Sequence, residues 1–179
     1  MKFLDLAKKR RSVRSYKSQQ VDRSDIKDIL NAGTWAPSAF NLQVMKCFVI
    51  QDIEKIQELA TKIQELKEKT VKKPFKIKPV KDPVFYEAPT VILVCAEKES
   101  SEYAKIDCMF FMQNAFLEAA EKGLGTCAIG ATALLEMEME FKKYLGIPKN
   151  WEVLLGFTLG YPQEDQEAPE RKNMDIKWS

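Results

Sequence analysis

Apolar and polar positions along the chain alternate in a way that divides it into short elements. Phe3, Leu4, Leu6 and Ala7 have the spacing of a short amphipathic helix. It runs into Lys8-Lys-Arg-Arg-Ser-Val-Arg14, whose Ser12 and crowded cations predict a loop. A second helix is predicted from Ser24, an N-cap followed by Asp25, with Ile26, Ile29 and Leu30 on one face and Gly33 and Pro37 ending it. Ala36 to Asn41 reads as loop, and Lys46 to Gln51 has the β-branched and aromatic content of a buried strand. With Asp52 as N-cap, Ile53, Ile56, Leu59, Ala60, Ile63 and Leu66 then follow helical spacing.

The character changes over residues 62–81, where eight lysines face two glutamates and Pro74 and Pro79 break any long helix, predicting a mobile surface excursion. Thr90 to Ala96 follows as a central strand. Over residues 104–122, Ile106, Phe110, Asn114, Leu117 and Glu121 step round a helix that Cys108, Met109, Phe111, Met112 and Phe116 widen into a broad apolar face. That helix should be nearly buried and should end at Gly123 as its C′ residue. A strand at Thr126 to Ile129, a helix from Leu134 to Leu145 stopped by Gly146 and Pro148, and a strand at Glu152 to Tyr161 complete the core, with an acidic, extended tail from Pro162. Strands alternating with helices point to a sheet covered by helices on both faces, with the strand order left open.

Composition narrows the chemistry. A chain of 179 residues suits one domain spanning 1–179. Its 28 basic and 26 acidic side chains give a net charge of +2, too mild to mark a nucleic-acid binder. Histidine is absent, which excludes Ser-His-Asp and Cys-His nucleophile systems, HExxH metal sites and imidazole-dependent zinc fingers. Cys47, Cys95, Cys108 and Cys127 contain no C-x-x-C and read as reduced core residues. Asp5 interrupts the first apolar stretch, so it does not work as a signal peptide, and Val91 to Ala96 is far shorter than the ~18 residues of a membrane span. A cytoplasmic protein is expected.

Four places could carry chemistry. Arg10, Arg11, Ser12 and Arg14 put three guanidiniums and a hydroxyl within five residues, a grouping suited to phosphate, or else a solvated basic turn. Pro37, Ser38, Ala39, Asn41 and Gln43 offer hydroxyl, carboxamide and backbone groups to a polyol or heterocycle edge, or form a plain Asx or Ser turn. Gly123 to Gly130 follows a helix and lacks G-x-G-x-x-G spacing, so it is no dinucleotide fingerprint, although its glycines leave backbone N–H groups free to meet a ligand. Arg171 is a cation on the extended tail, whose default meaning is an exposed tail residue.

In order, R-R-S-V-R near residue 10, A-P-S-A-x-N-x-Q at 36–43, F-Y-E-A-P-T-V-I-L-V at 85–94, Q-N-A at 113–115, G-L-G-T-C-A-I-G at 123–130, L-G-Y-P at 159–162 and P-E-R at 169–171 resemble the FMN-dependent nitroreductase family over nearly the whole chain. The resemblance implies an α+β fold with a central β-sheet flanked by helices, in an intertwined homodimer with two FMN sites at the subunit interface. It implies that Arg10, Ser12 and Arg171 hold the FMN phosphate with Arg11 beside it, and that Arg14 reaches the pyrimidine end. Pro37, Ser38, Ala39 and Asn41, with Gln43 close by, would come from the partner subunit to the ribityl chain and ring, and the backbone of Ala128, Ile129 and Gly130 would face N5 and O4. No metal is implied.

The implied reaction is ping-pong: NAD(P)H gives hydride to flavin N5 and leaves, and a nitroaromatic, quinone or similar electron-poor acceptor takes its place. A phosphate dianion calls for several cations, and the negative charge of reduced flavin near N1 suits a fixed arginine. Two departures bear on acceptor choice: Val44-Met45 stands where many members carry Pro-Trp, and no long insertion supplies a substrate lid. Two other readings stay open, a specialised flavin enzyme for dehalogenation or heterocycle oxidation, and a non-enzymatic module using Lys8 to Lys17 and the lysines of 62–81 as a basic patch.

Overall fold

Strands β1 (Lys46–Ile50), β2 (Thr90–Glu97), β3 (Gly125–Ile129) and β4 (Trp151–Gly160) form one antiparallel sheet in the order β1-β2-β4-β3, in a computed structural model that describes residues 2–70 and 82–179. The period of two along β2 builds two cores. Ile92, Val94 and Ala96 face one cluster and Val91, Leu93 and Cys95 the other. Helices α2 (Arg23–Thr34) and α4 (Ala104–Glu121) cover the first face, with α1 (Phe3–Lys9) alongside α4. Helices α3 (Ile53–Thr70) and α5 (Met139–Leu145) and a 3₁₀ stretch over Gly130–Met137 cover the second. The α+β class and the two covered faces agree with the sequence pattern.

Asp52 caps α3 as expected, its Oδ1 accepting from the N–H groups of Glu54 and Lys55 at 3.1 and 3.3 Å. Gly123, at φ +76°, lets Gly123 and Leu124 donate back to Ala120 and Ala119 and close α4. All four cysteines are unpaired. Burial pushes the thiols of Cys47, Cys95 and Cys108 up to about 12. Among the described residues no helix is long and apolar enough to cross a membrane.

Four expectations need correction. Helix α2 starts at Arg23 with Asp22 in the N-cap position, because the Ile26 N–H already bonds the Asp22 carbonyl at 3.0 Å; Ser24 lies inside the first turn. The single helix expected over 134–145 is two pieces with a break at Glu138. The break lets the fully buried Lys142 ammonium meet Glu136 and the Trp151 carbonyl, while Glu136 also accepts from the Val153 N–H at 2.8 Å. Residues 62–70 are not an excursion but the last turns of α3, held by buried Ile63 and Leu66; residues 71–81 lie outside the described residues.

The fourth concerns apolar faces. Helix α4 is not nearly buried: Ile106, Met109 and Phe110 are 55%, 53% and 48% exposed, since the sheet and α2 cover only two of its sides. The amphipathic α1 forms, yet Phe3 and Leu4 are exposed and no residue of the helix is buried.

Candidate functional site

The Arg10 to Arg14 segment leaves α1 and lies along β3, the edge strand. Half of an edge strand's backbone groups point away from its neighbour, and here the Thr126 carbonyl uses that freedom to accept the Val13 N–H at 2.9 Å, in a parallel bridge between Ser12 and Thr126. A Cβ on Gly125 would meet Val13 Cγ2 at 2.6 Å, so the loop sits against the strand at a distance only glycine permits. Tyr16 secures the other end of the loop. Its buried hydroxyl donates to the Val13 carbonyl at 2.8 Å and lies 2.7 Å from Thr158 Oγ1.

The tail then brings in the distant cation. Pro162 bridges Tyr16, the Gln163 N–H bonds the Ser15 carbonyl at 3.0 Å, and Glu164, Asp165 and Gln166 then border the same cleft as Arg10 and Arg11. Burial, followed by the charges of Arg11 and then Arg171, holds the Arg10 guanidinium below its ordinary range. Residues 10 and 171, 161 positions apart, thus share one electrostatic neighbourhood. Among the described residues none of Arg10, Arg11 and Arg171 forms an ion pair with a carboxylate. Concentrated positive charge without a fixed counterion is what an anion site requires.

Lys9, Arg10, Arg11, Gly123, Gly125 and Thr126 line a cleft of about 360 Å³ at this edge, which the tail closes with Glu164 and Asp165, so its lining carries three cations and two carboxylates; the volume is within the range of small-ligand sites. A larger cleft of about 720 Å³ opens between α3 and residues 82–89, but its charged lining is Glu65, Glu68, Asp82 and Glu87, the wrong sign for a phosphate. Farther along the edge, Ala128 and Gly130 are exposed, and a Cβ on Gly130 would meet nothing within 4 Å. The Ile129 side chain points into the second core, which leaves only its backbone for a ligand. The exposed Arg14 holds its guanidinium 5.9 Å from the Tyr86 ring centroid, a cation–π distance.

The 37–43 loop is built by side chains holding backbone. The Ala39 N–H donates to both oxygens of Asp107 at 3.2 and 3.3 Å, Ser38 Oγ accepts the Gln43 N–H at 3.1 Å, and Gln43 Nε2 donates to Asn41 Oδ1 at 2.9 Å. Phe40, Asn41 and Gln43 all have positive φ. Non-glycine residues persist there only where the surroundings over-determine them, and Asp107, 4% exposed on α4, is the main clamp. Pro37 is exposed at the start of the loop.

The two halves do not meet within one chain. The arginine cleft touches Ala120 and Gly123 at the C-terminal end of α4, whereas Asp107 holds the 37–43 loop in its first turn. A helix of 18 residues is roughly 27 Å long. The exposed Ile106 stands beside Asp107, and the exposed Met109 and Phe110 follow it toward the other end.

Asp107 and Tyr16 were not among the residues expected from the sequence, and Gly125, part of the glycine segment singled out there, was not expected to pack against Val13. Asp107 had a legible signal, a carboxylate among Ala104, Cys108 and Phe111 on the buried side of α4, since a charge on an apolar face calls for a partner. Tyr16 and Gly125 had none, because their roles depend on contacts with residues far along the chain.

The nitroreductase family model matches residues 7–161. A protein of Archaeoglobus fulgidus provisionally named an NADH dehydrogenase/NAD(P)H nitroreductase is 31% identical over 176 residues, covering 93% of this chain and 90% of its own. An iodotyrosine deiodinase of Thermotoga neapolitana is 27% identical over 190 residues, covering 100% and 99%. A Bacteroides fragilis nitroreductase solved with bound FMN superposes with a TM-score of 0.83 at 26% identity, covering 100% of this chain and 98% of that one. With the family model spanning most of its length and a 31% identical relative aligned nearly end to end, this chain belongs to the nitroreductase family.

Proposed function

We propose that this chain is a single-domain, cytoplasmic FMN-dependent oxidoreductase that works as a homodimer, passing hydride from NAD(P)H to a nitroaromatic, quinone or similar electron-poor acceptor in ping-pong order. The observation that carries this reading is the placement of Arg10 and Arg11 on the glycine-lined edge of β3, with the charge of Arg171 felt at Arg10. Such a site suits a phosphate dianion. FMN, when bound, supplies the hydride chemistry at its N5.

The residues have separate tasks. Arg10, Ser12 and Arg171 hold the phosphate, with Arg11 beside it, and Tyr16 and Gly125 keep their loop pressed on the strand. Arg14, fixed over Tyr86, supplies positive charge at the pyrimidine end. The backbone of Ala128, Ile129 and Gly130 lines the open edge of the ring. Pro37, Ser38, Ala39, Asn41 and Gln43 come from a second copy, because the run of α4 from Asp107 to Ala120 separates them from the arginines of their own chain by roughly 20 Å. The exposed apolar residues of α1 and α4 are the surface through which that copy would pack. The absence of histidine fits hydride transfer, which depends on stacking geometry and a solvent proton more than on a side-chain acid.

Reductive dehalogenation is a second reading, favoured by the full-length likeness to the Thermotoga deiodinase. Both readings are tested by the visible spectrum of the purified protein after FMN addition and desalting, followed anaerobically by NADH and NADPH. Retained flavin that bleaches with either nucleotide and is reoxidised by a nitroaromatic or quinone is expected. Reoxidation by an iodophenol alone would move the assignment to dehalogenation, and a colourless protein would refute the flavin site and favour the basic-patch module.

A further inference from the structure

We infer that Phe40 forms the wall on which planar aromatic acceptors stack, and so helps set which acceptors this enzyme prefers. The inference rests on the flavin reading above and adds a residue that the motif A-P-S-A-x-N-x-Q leaves unspecified. Phe40 is 87% exposed and sits at φ +51°, ψ +21°. A bulky side chain in the left-handed region is a conformational outlier, and within its own chain it gains no burial in return. Its ring meets Tyr103, centroid to centroid at 6.4 Å and 62° between planes, which leaves most of the ring open.

The backbone on both sides of the ring is held. Ala39 N–H is on Asp107, Asn41 N–H on the Ser38 carbonyl at 2.9 Å, and Leu42 N–H on the Ala39 carbonyl at 3.0 Å. These bonds impose the left-handed turn and fix where the Phe40 Cβ points, while Tyr103 limits the ring's rotation. In the flavin reading proposed above Ala39 and Asn41 meet the flavin, which puts the ring between them at the lip of the space that nucleotide and acceptor occupy in turn. A large, oriented, unburied π surface at that lip recognises a flat electron-poor ring by offset or edge stacking. It gives nothing comparable to a compact, strongly hydrated acceptor.

The test uses the holoenzyme with saturating NADH and three acceptors: a nitrobenzoate, a benzoquinone and ferricyanide. Ferricyanide takes one electron at a time without stacking, and the balance is NADH plus two ferricyanide giving NAD⁺, H⁺ and two ferrocyanide. Phe40→Leu keeps apolar bulk and removes the π face, and Phe40→Trp restores one. Phe40→Leu is expected to raise KM for the nitrobenzoate and benzoquinone about five- to tenfold relative to ferricyanide, the scale of one aromatic contact, with Phe40→Trp returning the ratio close to that of wild type. Flavin content and sedimentation are measured on every variant. Equal effects on all three acceptors, no effect on the aromatic ones, or a dimer that dissociates on Phe40→Leu would overturn the assignment, the last by making Phe40 a packing residue. A wild-type protein that retains no flavin fails the flavin reading itself, and is distinguished by that readout before any variant is compared.

Discussion

At the scale of single residues, charge and burial decide behaviour. Arg10 is half-buried, and burial together with the charges of Arg11 and Arg171 makes its own charge costly until an anion joins it. Charge-assisted hydrogen bonds contribute about 1.5–3 kcal/mol each. Arg10→Ala should therefore weaken FMN binding roughly 10- to 150-fold by fluorescence titration, with the urea midpoint close to wild type. The cysteines show the opposite case, neutral groups protected by apolar surroundings. Unfolded thiols ionise near 9.0, while Cys47, Cys95 and Cys108 resist ionisation up to about 12 in the fold. Their folded values are raised, so their contribution to stability is complete below pH 9 and is lost as the pH climbs from there towards 12. The urea midpoint should be lower at pH 10.5 than at pH 8, and a thiol reagent at pH 8 should label the folded protein slowly and the unfolded protein at once.

At the scale of elements, the arginine loop depends on how closely it lies against β3. Val13 packs so near Gly125 that an added methyl would sit 2.6–3.0 Å from its Cβ and both γ-carbons. Val13 is β-branched and stiff at χ1, so the strand and loop must part. Gly125→Ala should cost about 1–3 kcal/mol of stability and should also reduce FMN affinity, read by urea denaturation and flavin titration; a loss of stability without a loss of affinity would show that the loop does not need this contact. Helix α4 has a comparable double role, since its first turn clamps the 37–43 loop through Asp107 and its last leads into the strand beneath the arginines. Helical spacing revealed the length of α4 correctly. It did not reveal which apolar residues would be covered, because Phe111 and Phe110 look equally apolar in sequence and only the position of the sheet and α2 separates them.

At the scale of the whole molecule, the proposed homodimer would account at once for the exposed apolar residues of α1 and α4 and for the separation of the two site halves. Phe110→Glu would place a charge in that contact, where an unpaired carboxylate is costly. The variant should sediment as a monomer and lose flavin while keeping a native far-UV spectrum, since the Phe110 side chain is 48% exposed in the single chain. A monomer that still held FMN at wild-type affinity would mean that one chain completes the site.

The local part of this protein was legible in its residues. The Asp52 cap, the Gly123 stop, the period-two run of β2 and the arginine segment all act on neighbours within a few positions, and pattern rules describe such neighbours. The start of α2 and the break at Glu138 escaped by a few residues, because a backbone bond to Asp22 and the buried Lys142–Glu136 pair override local preference. Ordered motifs along the chain also sufficed to indicate the family. Only the tertiary structure brought Arg171 to Arg10, set Asp107 under Ala39, and placed the arginine cleft and the 37–43 loop at opposite ends of one helix. Periodicity states that a face is apolar; whether the chain itself or another molecule covers it depends on contacts between residues far apart in sequence, which no local pattern encodes.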